Sequence, residues 1–344
     1  MKTVDLRSDT VTQPTPTMRA AMSKAEVGDD VMGEDPTINR LQQVAAERMG
    51  KEAGLFVPSG TMGNLAAVLA HCGRGDEIIL GDLSHTFIFE AGGVAALGGV
   101  MPHTLPNLAD GRLELSAIQG AIRPDDIHQP VTRLILLENT HNRCGGTVLP
   151  VEYTRQVSDL AKKAGLRLHI DGARIFNAAV ALGVPASTLA EPADSITFCL
   201  SKALCAPVGS VLCGSAEFIR QARRIRKQLG GGMRQAGILA AAGMVALEEM
   251  VDRLAEDHQR ARVLAAGLAQ IAGLRLDHLV PDTNMVFVTV KDEVQSSSSE
   301  ISARLAAVGV KVGLAGARRF RMVTHYWVDD EGIEQTIAAF RRAL

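Results

Sequence analysis

The chain has 344 residues, with 36 Lys and Arg against 38 Asp and Glu, so its net charge is -2. This near balance gives no electrostatic reason to expect nucleic acid or a membrane as a partner, and we expect a small-molecule substrate. The five cysteines are odd in number and lack metal-binding spacing, so neither a disulfide framework nor a metal site is predicted. Reduced thiols and a polar N-terminus unlike a signal peptide predict a cytoplasmic protein.

Short apolar runs alternate with helical segments through about residue 215. The runs predicted as strands are 53–57, 77–80, 99–103, 132–137, 167–170, 195–199 and 210–213, and the helical segments include 64–71, 115–122 and 151–163. Strands that alternate with helices favour a mostly parallel sheet covered on both faces. We therefore predict an α/β fold.

Residues 36–250 would form this large domain, and residues 251–344 would form a smaller α+β domain. One or two helices over 235–272 lead into the small domain, which has predicted strands at 283–290 and 319–324 and predicted helices at 299–308 and 331–344. Residues 1–35 are polar and rich in turn residues. They are predicted either to be a mobile arm or to pack over an active site.

Lys202 and Asp171 are the most informative pair of residues. Asp171 ends a short apolar run, and Lys202 follows 31 residues later in the segment S-K-A-L. A lysine amine can hold pyridoxal phosphate as a Schiff base, and a carboxylate beside the pyridine nitrogen keeps that nitrogen protonated. The pair therefore predicts an enzyme that uses this cofactor to act on amino acids.

A turn with the sequence P-S-G-T-M-G-N joins a predicted strand to a predicted helix. Gly60 and Thr61 lie at the junction, where unpaired backbone N–H groups and the helix dipole favour an anion. The same residues make a good helix cap, which is the simpler interpretation when the turn is taken alone. Together with Lys202, the turn is a candidate phosphate site.

His85 and Arg174 also follow predicted strands. An imidazole at the carboxyl edge of a sheet can stack on a planar ring, although a lone histidine there is more often a surface or capping residue. Arg174 could pair with Asp171 for a structural reason. If a protonated pyridine nitrogen pairs with Asp171 instead, Arg174 is free to bind another anion.

Six segments, in this order along the chain, resemble the low-specificity L-threonine aldolases. They are D-L-R-S-D-T-V-T-Q-P-T, G-D-D-V-M-G-E-D-P-T-I-N-R-L, F-V-P-S-G-T-M-G-N, L-E-N-T-H-N-R-C-G-G-T-V-L-P, H-I-D-G-A-R-I-F-N-A and S-K-A-L-C-A-P-V-G-S. The resemblance implies an aspartate-aminotransferase-like fold, pyridoxal 5'-phosphate and a homo-oligomer, generally a tetramer built as a dimer of dimers. It also implies cleavage of L-threonine or L-allo-threonine to glycine and acetaldehyde.

The resemblance implies a set of residues that hold the cofactor. Lys202 would form the Schiff base, and Asp171 would pair with the pyridine nitrogen. Gly60 and Thr61 would bind the phosphate, joined by Arg234 from the neighbouring subunit. The segment G-G-G-M-R places Arg234 after three glycines, on a turn far in sequence from the phosphate loop.

The resemblance implies a second set of residues around the substrate. His85 would stack on the cofactor ring, and Arg174 would approach the cofactor's 3-oxygen and the substrate carboxylate. Ser8 and Arg321 would fix that carboxylate, and His128 would lie near the substrate's hydroxyl end. The base that removes the hydroxyl proton stays open between His85, His128 and a bound water.

The sequence departs from the family pattern in the lysine loop. Ala203 and Cys205 stand where the family often has glycine. If either glycine normally adopts a positive φ, the substitution would cost about 1 kcal/mol of strain.

Two other functions stay open. One is a β-eliminating or aromatic amino-acid lyase of the same fold, although 12 aromatic residues in the whole chain do not favour an aromatic-lined pocket. The other is a non-catalytic regulatory protein, which Lys202, Asp171 and Arg321 argue against.

Overall fold

The computed structural model describes residues 3–344. Within this range the strands are β1 (Val4–Leu6), β2 (Ala53–Val57), β3 (Glu77–Gly81), β4 (Met101–Leu105), β5 (Thr132–Glu138), β6 (Arg167–Asp171), β7 (Ser195–Cys199), β8 (Ser210–Gly214), β9 (Leu274–Leu276), β10 (Met285–Val290), β11 (Val310–Gly316) and β12 (Arg319–Val323).

Helices cover the faces of the sheets and join their strands. They are α1 (Pro16–Ser23), α2 (Pro36–Met49), α3 (Gly60–His71), α4 (His85–Ile88), α5 (Gly93–Ala96), α6 (Leu115–Ala121), α7 (Val151–Lys163), α8 (Ile175–Leu182), α9 (Ala186–Ala190), α10 (Ala216–Gln228), α11 (Gly237–Glu249), α12 (Leu254–Ala269), α13 (Ser298–Ala307) and α14 (Asp330–Ala343), with a short 3-10 helix at Asp9–Val11.

The large sheet has seven strands in the order β2-β8-β7-β6-β5-β3-β4. β3, β4, β5, β6 and β7 pair in parallel, whereas β8 runs antiparallel to both of its neighbours. The predicted α/β fold with a mostly parallel sheet is confirmed. All seven predicted strands form this sheet, and apart from the edge strand β4 they are mostly buried between helices on both faces.

Among the boundaries that differ from the prediction, two have clear local reasons. β4 starts at Met101 rather than at residue 99, because Gly99 has a φ of +63° and turns the chain after α5. α3 starts at Gly60 rather than at residue 64, because the Ser59 hydroxyl accepts a hydrogen bond from the Met62 N–H and caps the helix there.

A second sheet has five strands in the order β1-β11-β12-β10-β9. The sequence predicted β10 and β12 but missed β1, β9 and β11. β1 comes from the N-terminal arm and pairs in parallel with β11, and its Val4 and Leu6 are buried in the core of the C-terminal domain. This arrangement does not fit a mobile arm. The domain boundaries after residues 35 and 250 stay a prediction.

The arm continues from β1 toward the large domain and contacts both parts of the molecule. The Thr12 hydroxyl donates a hydrogen bond to the Lys202 carbonyl at 2.8 Å. The Trp327 indole N–H donates to the Gln13 carbonyl at 2.9 Å. The arm is therefore tied to the lysine loop on one side and to the C-terminal domain on the other. Among the helices of residues 3–344, none combines the length and apolar character needed to cross a membrane.

The lysine loop contains a strained residue. Cys205 has a φ of +65°, in the left-handed region that favours glycine, whereas Ala203 does not. Of the two positions where the resembled family often has glycine, position 205 therefore carries the backbone strain. Its cost for a residue with a Cβ is about 1 kcal/mol.

We expect Cys205→Gly to exceed Cys205→Ala in free energy of unfolding by about 1 kcal/mol, because both variants lose the thiol and only glycine relieves the strain. Ala203 does not have a positive φ, so glycine relieves no strain there and only adds freedom to the unfolded chain. Ala203→Gly should therefore be less stable than the unchanged protein. Urea unfolding followed by circular dichroism measures both differences. Equal stabilities of the two Cys205 variants would contradict the strain.

Candidate active site

A cavity lies at the carboxyl ends of β3, β5, β6 and β7, beside the first turn of α3. Residues that follow parallel strands converge on this edge of a sheet. The lining includes six residues predicted to contact the cofactor, namely Gly60, Thr61, His85, Asp171, Arg174 and Lys202. An adjoining cavity shares part of this lining and adds Ser8 and Arg321.

Asp171, at the end of β6, and Lys202, on the loop after β7, both line this cavity. Asp171 is the last residue of β6 and is buried, and it accepts hydrogen bonds from Asn64 Nδ2 at 2.9 Å and from the Ala173 N–H at 3.1 Å. Burial raises the pKa of Asp171, and nearby Glu138 adds to this shift. The Lys202 Nζ forms no hydrogen bond or close ion pair with the described residues, so the amine is available for a ligand.

The first turn of α3 presents unpaired donors to the same cavity. Ser59 caps the helix by accepting from the Met62 N–H, so the N–H groups of Gly60 and Thr61 are left without a partner among residues 3–344. The Ser59 and Ser201 side chains also line this end of the cavity. Unpaired N–H groups at the positive end of a helix form a suitable cradle for a phosphate.

His85 is held by a buried carboxylate that the sequence analysis did not identify. The His85 Nδ1 lies 2.9 Å from Glu90 Oε1, and the Glu90 side chain is 2% exposed. The hydrogen bond to Glu90 raises the pKa of His85, and burial raises the pKa of Glu90. The pair therefore retains a proton to a higher pH than either group would alone, and it leaves the His85 Nε2 for a ligand.

Glu138, at the end of β5, fixes the backbone around His85. Its Oε2 accepts from the His85 N–H at 2.7 Å, and its Oε1 accepts from the Asn142 N–H at 2.8 Å. One carboxylate thus joins the loop after β3 to the loop after β5.

The sequence predicted that Arg174 is free to bind another anion, but most of its guanidinium is bound to Asp9. Its Nε and Nη2 donate to Asp9 at 2.6 Å and 2.5 Å, and both residues are buried. Burial alone would raise the pKa of Asp9, but Arg174 outweighs this effect and holds it well below its usual range. The sequence reasoning missed Asp9 because the partners are 165 residues apart. Nη1 is the guanidinium nitrogen that this pair leaves for a ligand.

Ser8 and Arg321 both line the adjoining cavity. The Arg321 Nε is buried without a hydrogen-bond partner in the described part of the chain, and its Nη1 makes one long contact of 3.5 Å with the Arg7 carbonyl. Burial, and then the nearby Arg174, lower the pKa of Arg321 to about 10. A partly buried guanidinium with so few partners is suited to bind a carboxylate.

The cavities contain several buried polar atoms that lack a partner within residues 3–344. They are Glu90 Oε2, Thr140 Oγ1, Asn142 Oδ1 and Arg321 Nε. Buried polar atoms are normally hydrogen-bonded, so their concentration here indicates a polar ligand. An anion-binding helix terminus, an unpaired lysine and a buried aspartate fit the phosphate, aldehyde carbon and ring nitrogen of pyridoxal phosphate.

Side-chain atoms of His85, Glu90 and Asp171 also lie within 4.8 Å of one another, close enough to share a cation. Two buried carboxylates near each other require positive charge, and a protonated ring nitrogen would supply it. The absence of a metal site stays a prediction from the sequence.

Two predicted site residues lie outside both cavities in this chain. His128 is on the loop that precedes β5, at the opposite edge of the sheet, with its side chain 82% exposed and its Nδ1 2.8 Å from Asp126 Oδ1. Arg234 is half-exposed and pairs with Asp29 at 2.7 Å. Neither residue can act on its own subunit's cavity in this arrangement.

Two buried residues that line the cavity were not predicted, because no local signal marks them. Asn64 lies one turn after Thr61 on α3, and Glu90 lies five residues after His85, so each is near a predicted site residue in sequence. Only the buried hydrogen bonds of Asn64 to Asp171 and Glu90 reveal their roles.

Comparisons with known proteins agree with this geometry. The family model described as beta-eliminating lyase matches residues 5–293. Low-specificity L-threonine aldolase 1 of Arabidopsis thaliana is 49% identical, covering 100% of this chain and 97% of the relative. Low specificity L-threonine aldolase of Escherichia coli strain K12 is 47% identical, covering 99% of each. A solved threonine aldolase of Leishmania major superposes with a TM-score of 0.83 at 21% identity, covering 98% of this chain and 99% of that one.

The fold and the cavity define a pyridoxal-phosphate enzyme with the aspartate-aminotransferase-like architecture. The chain belongs to the beta-eliminating lyase family and, within it, to the low-specificity L-threonine aldolases. The family resemblance predicted from the sequence is confirmed.

We expect Glu90→Gln to lower the pKa of His85, because the variant removes the charge that stabilises the imidazolium. In the unchanged protein this pair contributes stability at a pH below the ordinary His85 pKa of 6.5 and loses it as pH rises through the raised value. NMR titration measures the His85 pKa, with the signal assigned by His85→Gln. Glu152→Gln, at an exposed position on α7, is the control. An unchanged His85 pKa in Glu90→Gln would contradict the pairing.

Proposed function

We propose that this protein cleaves L-threonine and L-allo-threonine to glycine and acetaldehyde, using pyridoxal 5'-phosphate in a retro-aldol reaction. The observation that carries the proposal is the arrangement of Lys202, Asp171 and Arg321 around joined cavities. Within residues 3–344, these groups supply an amine without a hydrogen bond, a buried carboxylate and a cation with only one long contact, which match the needs of a cofactor aldehyde, its ring nitrogen and an amino-acid carboxylate. The named relatives support the same reaction.

The cofactor would be held at three points by residues of this chain. Lys202 would bind its aldehyde carbon, Asp171 would bind its ring nitrogen, and the N–H groups of Gly60 and Thr61 would bind its phosphate. When bound, the cofactor supplies a ring that accepts the electrons of a breaking bond at the amino acid's α-carbon. His85 lines the same cavity and is proposed to lie against the ring.

The substrate carboxylate would bind between Arg321 and Ser8. Arg321 has a buried Nε without a partner in the described chain, and the Ser8 hydroxyl lines the same cavity. Arg174 contributes through Nη1, because Asp9 holds its other side. Charge-assisted contacts at the carboxylate and amine fix the α-carbon, so we propose strong selection for L over D amino acids.

His85 is the favoured base for the substrate's β-hydroxyl proton. Its Nδ1 hydrogen bond to Glu90 orients the ring and stabilises the imidazolium that forms when Nε2 accepts a proton. His128 lies at the other edge of the sheet in its own subunit, so in this role it would have to serve another subunit.

The second candidate is β-elimination, which the description of the matching family model favours. An eliminase would release pyruvate from a β-substituted amino acid such as serine, whereas an aldolase releases acetaldehyde from threonine. Product analysis therefore separates the two reactions.

We expect acetaldehyde from both L-threonine and L-allo-threonine, with kcat/KM values that differ by less than about 10³-fold, because exchanging a methyl and a hydroxyl in a small pocket is worth only about 1–3 kcal/mol. Coupled alcohol dehydrogenase measures acetaldehyde, and coupled lactate dehydrogenase measures pyruvate from L-serine as the comparison. Pyruvate without acetaldehyde would overturn the aldolase proposal. A ratio above 10³ would overturn the loose selection at the β-carbon.

We further propose that the protein assembles as a homotetramer, a dimer of dimers, in which Arg234 reaches the phosphate of a neighbouring subunit. In its own subunit Arg234 is exposed, its guanidinium pairs with Asp29, and it lies outside the cavity. An exposed arginine after a glycine turn could exchange its surface ion pair with Asp29 for a phosphate in an adjacent site.

Mixed subunits test this shared site. Lys202→Ala and Arg234→Ala chains should each have little activity. After subunit exchange, hybrid dimers hold one complete site, and we expect about a quarter of the unchanged activity from a random mixture. A cis role for Arg234 predicts no recovery, so inactivity after exchange proven by mass spectrometry would contradict the shared site.

We also propose a reducing, cytoplasmic location. All five cysteines are unpaired and buried, which supports a compartment where thiols stay reduced.

A further inference from the structure

A chain of side-chain hydrogen bonds leads away from Asp171 between α3 and the large sheet. Asn64 Nδ2 lies 2.9 Å from Asp171 Oδ2, and Asn64 Oδ1 lies 3.3 Å from His169 Nε2. His169 Nδ1 lies 2.8 Å from Ser195 Oγ, which in turn lies 2.8 Å from His71 Nε2. Five side chains are thus connected from the cofactor cavity to the far end of α3.

The fold builds this chain from one helix and two strands. Asn64 and His71 are seven residues apart on α3, so they lie on the same face of the helix, two turns from each other. His169 of β6 and Ser195 of β7 are direct partners in the parallel register. The helix packs over these strands, so its two polar residues bracket the cross-strand pair.

The direction of the hydrogen bonds follows from Asn64. Its amide nitrogen donates one proton to Asp171 and the other to Glu90, each at 2.9 Å. The amide oxygen therefore faces His169, and because an oxygen can only accept here, His169 Nε2 must carry the donated proton.

His169 is neutral, which fixes the remaining bonds. The residue is fully buried, and burial, reinforced by the nearby His71, lowers its pKa to about 3. With its single proton on Nε2, Nδ1 must accept the Ser195 hydroxyl proton. The Ser195 oxygen then accepts from His71 Nε2. Every proton in the chain is directed toward Asp171.

The outer end of the chain opens into a different cavity. His71 lines it with Arg167, Asp194 and Glu217, and the His71 ring stacks on Phe218 with centroids 4.4 Å apart. Burial lowers the pKa of His71 to about 4, and Asp194 and Arg167 act on it in opposite directions. His71 is therefore also neutral near pH 7. Its stacking on Phe218 holds the His71 ring, which is the outer end of the hydrogen-bond chain, in place.

We propose that Asn64, His169, Ser195 and His71 are positioning residues that keep Asp171 ionised and aimed at the cofactor's ring nitrogen. Aligned donors that end on a carboxylate stabilise its charged form, and a charged Asp171 is what keeps a pyridine nitrogen protonated. The proposal rests on pyridoxal phosphate as the cofactor in the proposed function. It does not depend on which amino acid is cleaved.

The opposite polarity would have the opposite effect. If Asp171 were protonated, its hydroxyl would donate to the Asn64 amide oxygen, and the Asn64 amide would be flipped so that its nitrogen faces His169. His169 would then carry its proton on Nδ1. The position of the His169 proton therefore reports the direction of the whole chain. It can be read in the protein without cofactor.

The first test is ¹⁵N NMR of histidine-labelled protein without cofactor. The two signals that respond to Ser195→Ala belong to His71 and His169, and loss of one of them in His71→Gln identifies the other. We expect the His169 signal of a neutral ring with its proton on Nε2. A proton on Nδ1 would overturn the proposed direction.

The second test is cofactor binding to the variant Ser195→Ala. This variant breaks the hydrogen-bond chain at His169, beyond Asn64, the direct partner of Asp171. We expect the Kd for pyridoxal phosphate to rise about threefold to tenfold. The Kd for an analogue with carbon in place of the ring nitrogen should change less than about twofold, since that analogue makes no bond to Asp171. Ser158→Ala, which removes a different buried hydroxyl that donates to the Pro192 carbonyl, should leave both values unchanged.

The two ligands separate a positioning role from a structural one. Equal weakening of both ligands in Ser195→Ala would show that the hydroxyl only supports the fold, and no weakening of either would show that it has no effect. Either result overturns the proposal. Because these readouts are proton positions and binding constants, they stand even if acetaldehyde is not the product.

Discussion

The negative charge buried at the carboxyl edge of the large sheet is the constraint on which the site depends. Asp171 and Glu90 are both nearly inaccessible to water, and both accept a hydrogen bond from the same Asn64 amide nitrogen. Buried carboxylates are stable only when hydrogen bonds and positive charges offset the cost of their desolvation. His85 supplies one such partner, and the cofactor's ring nitrogen would supply the other.

A second buried pair, Asp9 with Arg174, connects the N-terminal arm to this edge. The arm begins as a strand in the C-terminal sheet and then crosses to the lysine loop, where Thr12 bonds to the Lys202 carbonyl. Because of this path, residues from the first ten positions and from the C-terminal domain line the cavity beside Lys202. Breaking a buried ion pair at one partner typically costs about 3–5 kcal/mol, so the arm is part of the site's framework.

The sequence was sufficient to predict those parts of the fold and the site that depend on a local pattern. Apolar runs ending in Asp171 or followed by His85 predicted the parallel sheet and its functional edge, and the cap before Gly60 predicted the anion-binding turn. It failed where partners are distant, as with Asp9 and Arg174. It also failed for β1, because three residues carry too little periodicity to predict pairing with a strand some 300 positions away. His128 and Arg234 were predicted from resemblance alone, and one subunit does not bring them to the cavity.

The central claim is that this edge of the sheet holds pyridoxal phosphate on Lys202. The most direct measurement is borohydride reduction of the purified protein with its cofactor, followed by peptide mass spectrometry. The account predicts that the absorbance band of a protonated Schiff base, at about 420 nm, disappears on reduction. It also predicts that a phosphopyridoxyl group is found on Lys202. A modified lysine elsewhere, or a reduced protein with no modified lysine, would contradict it.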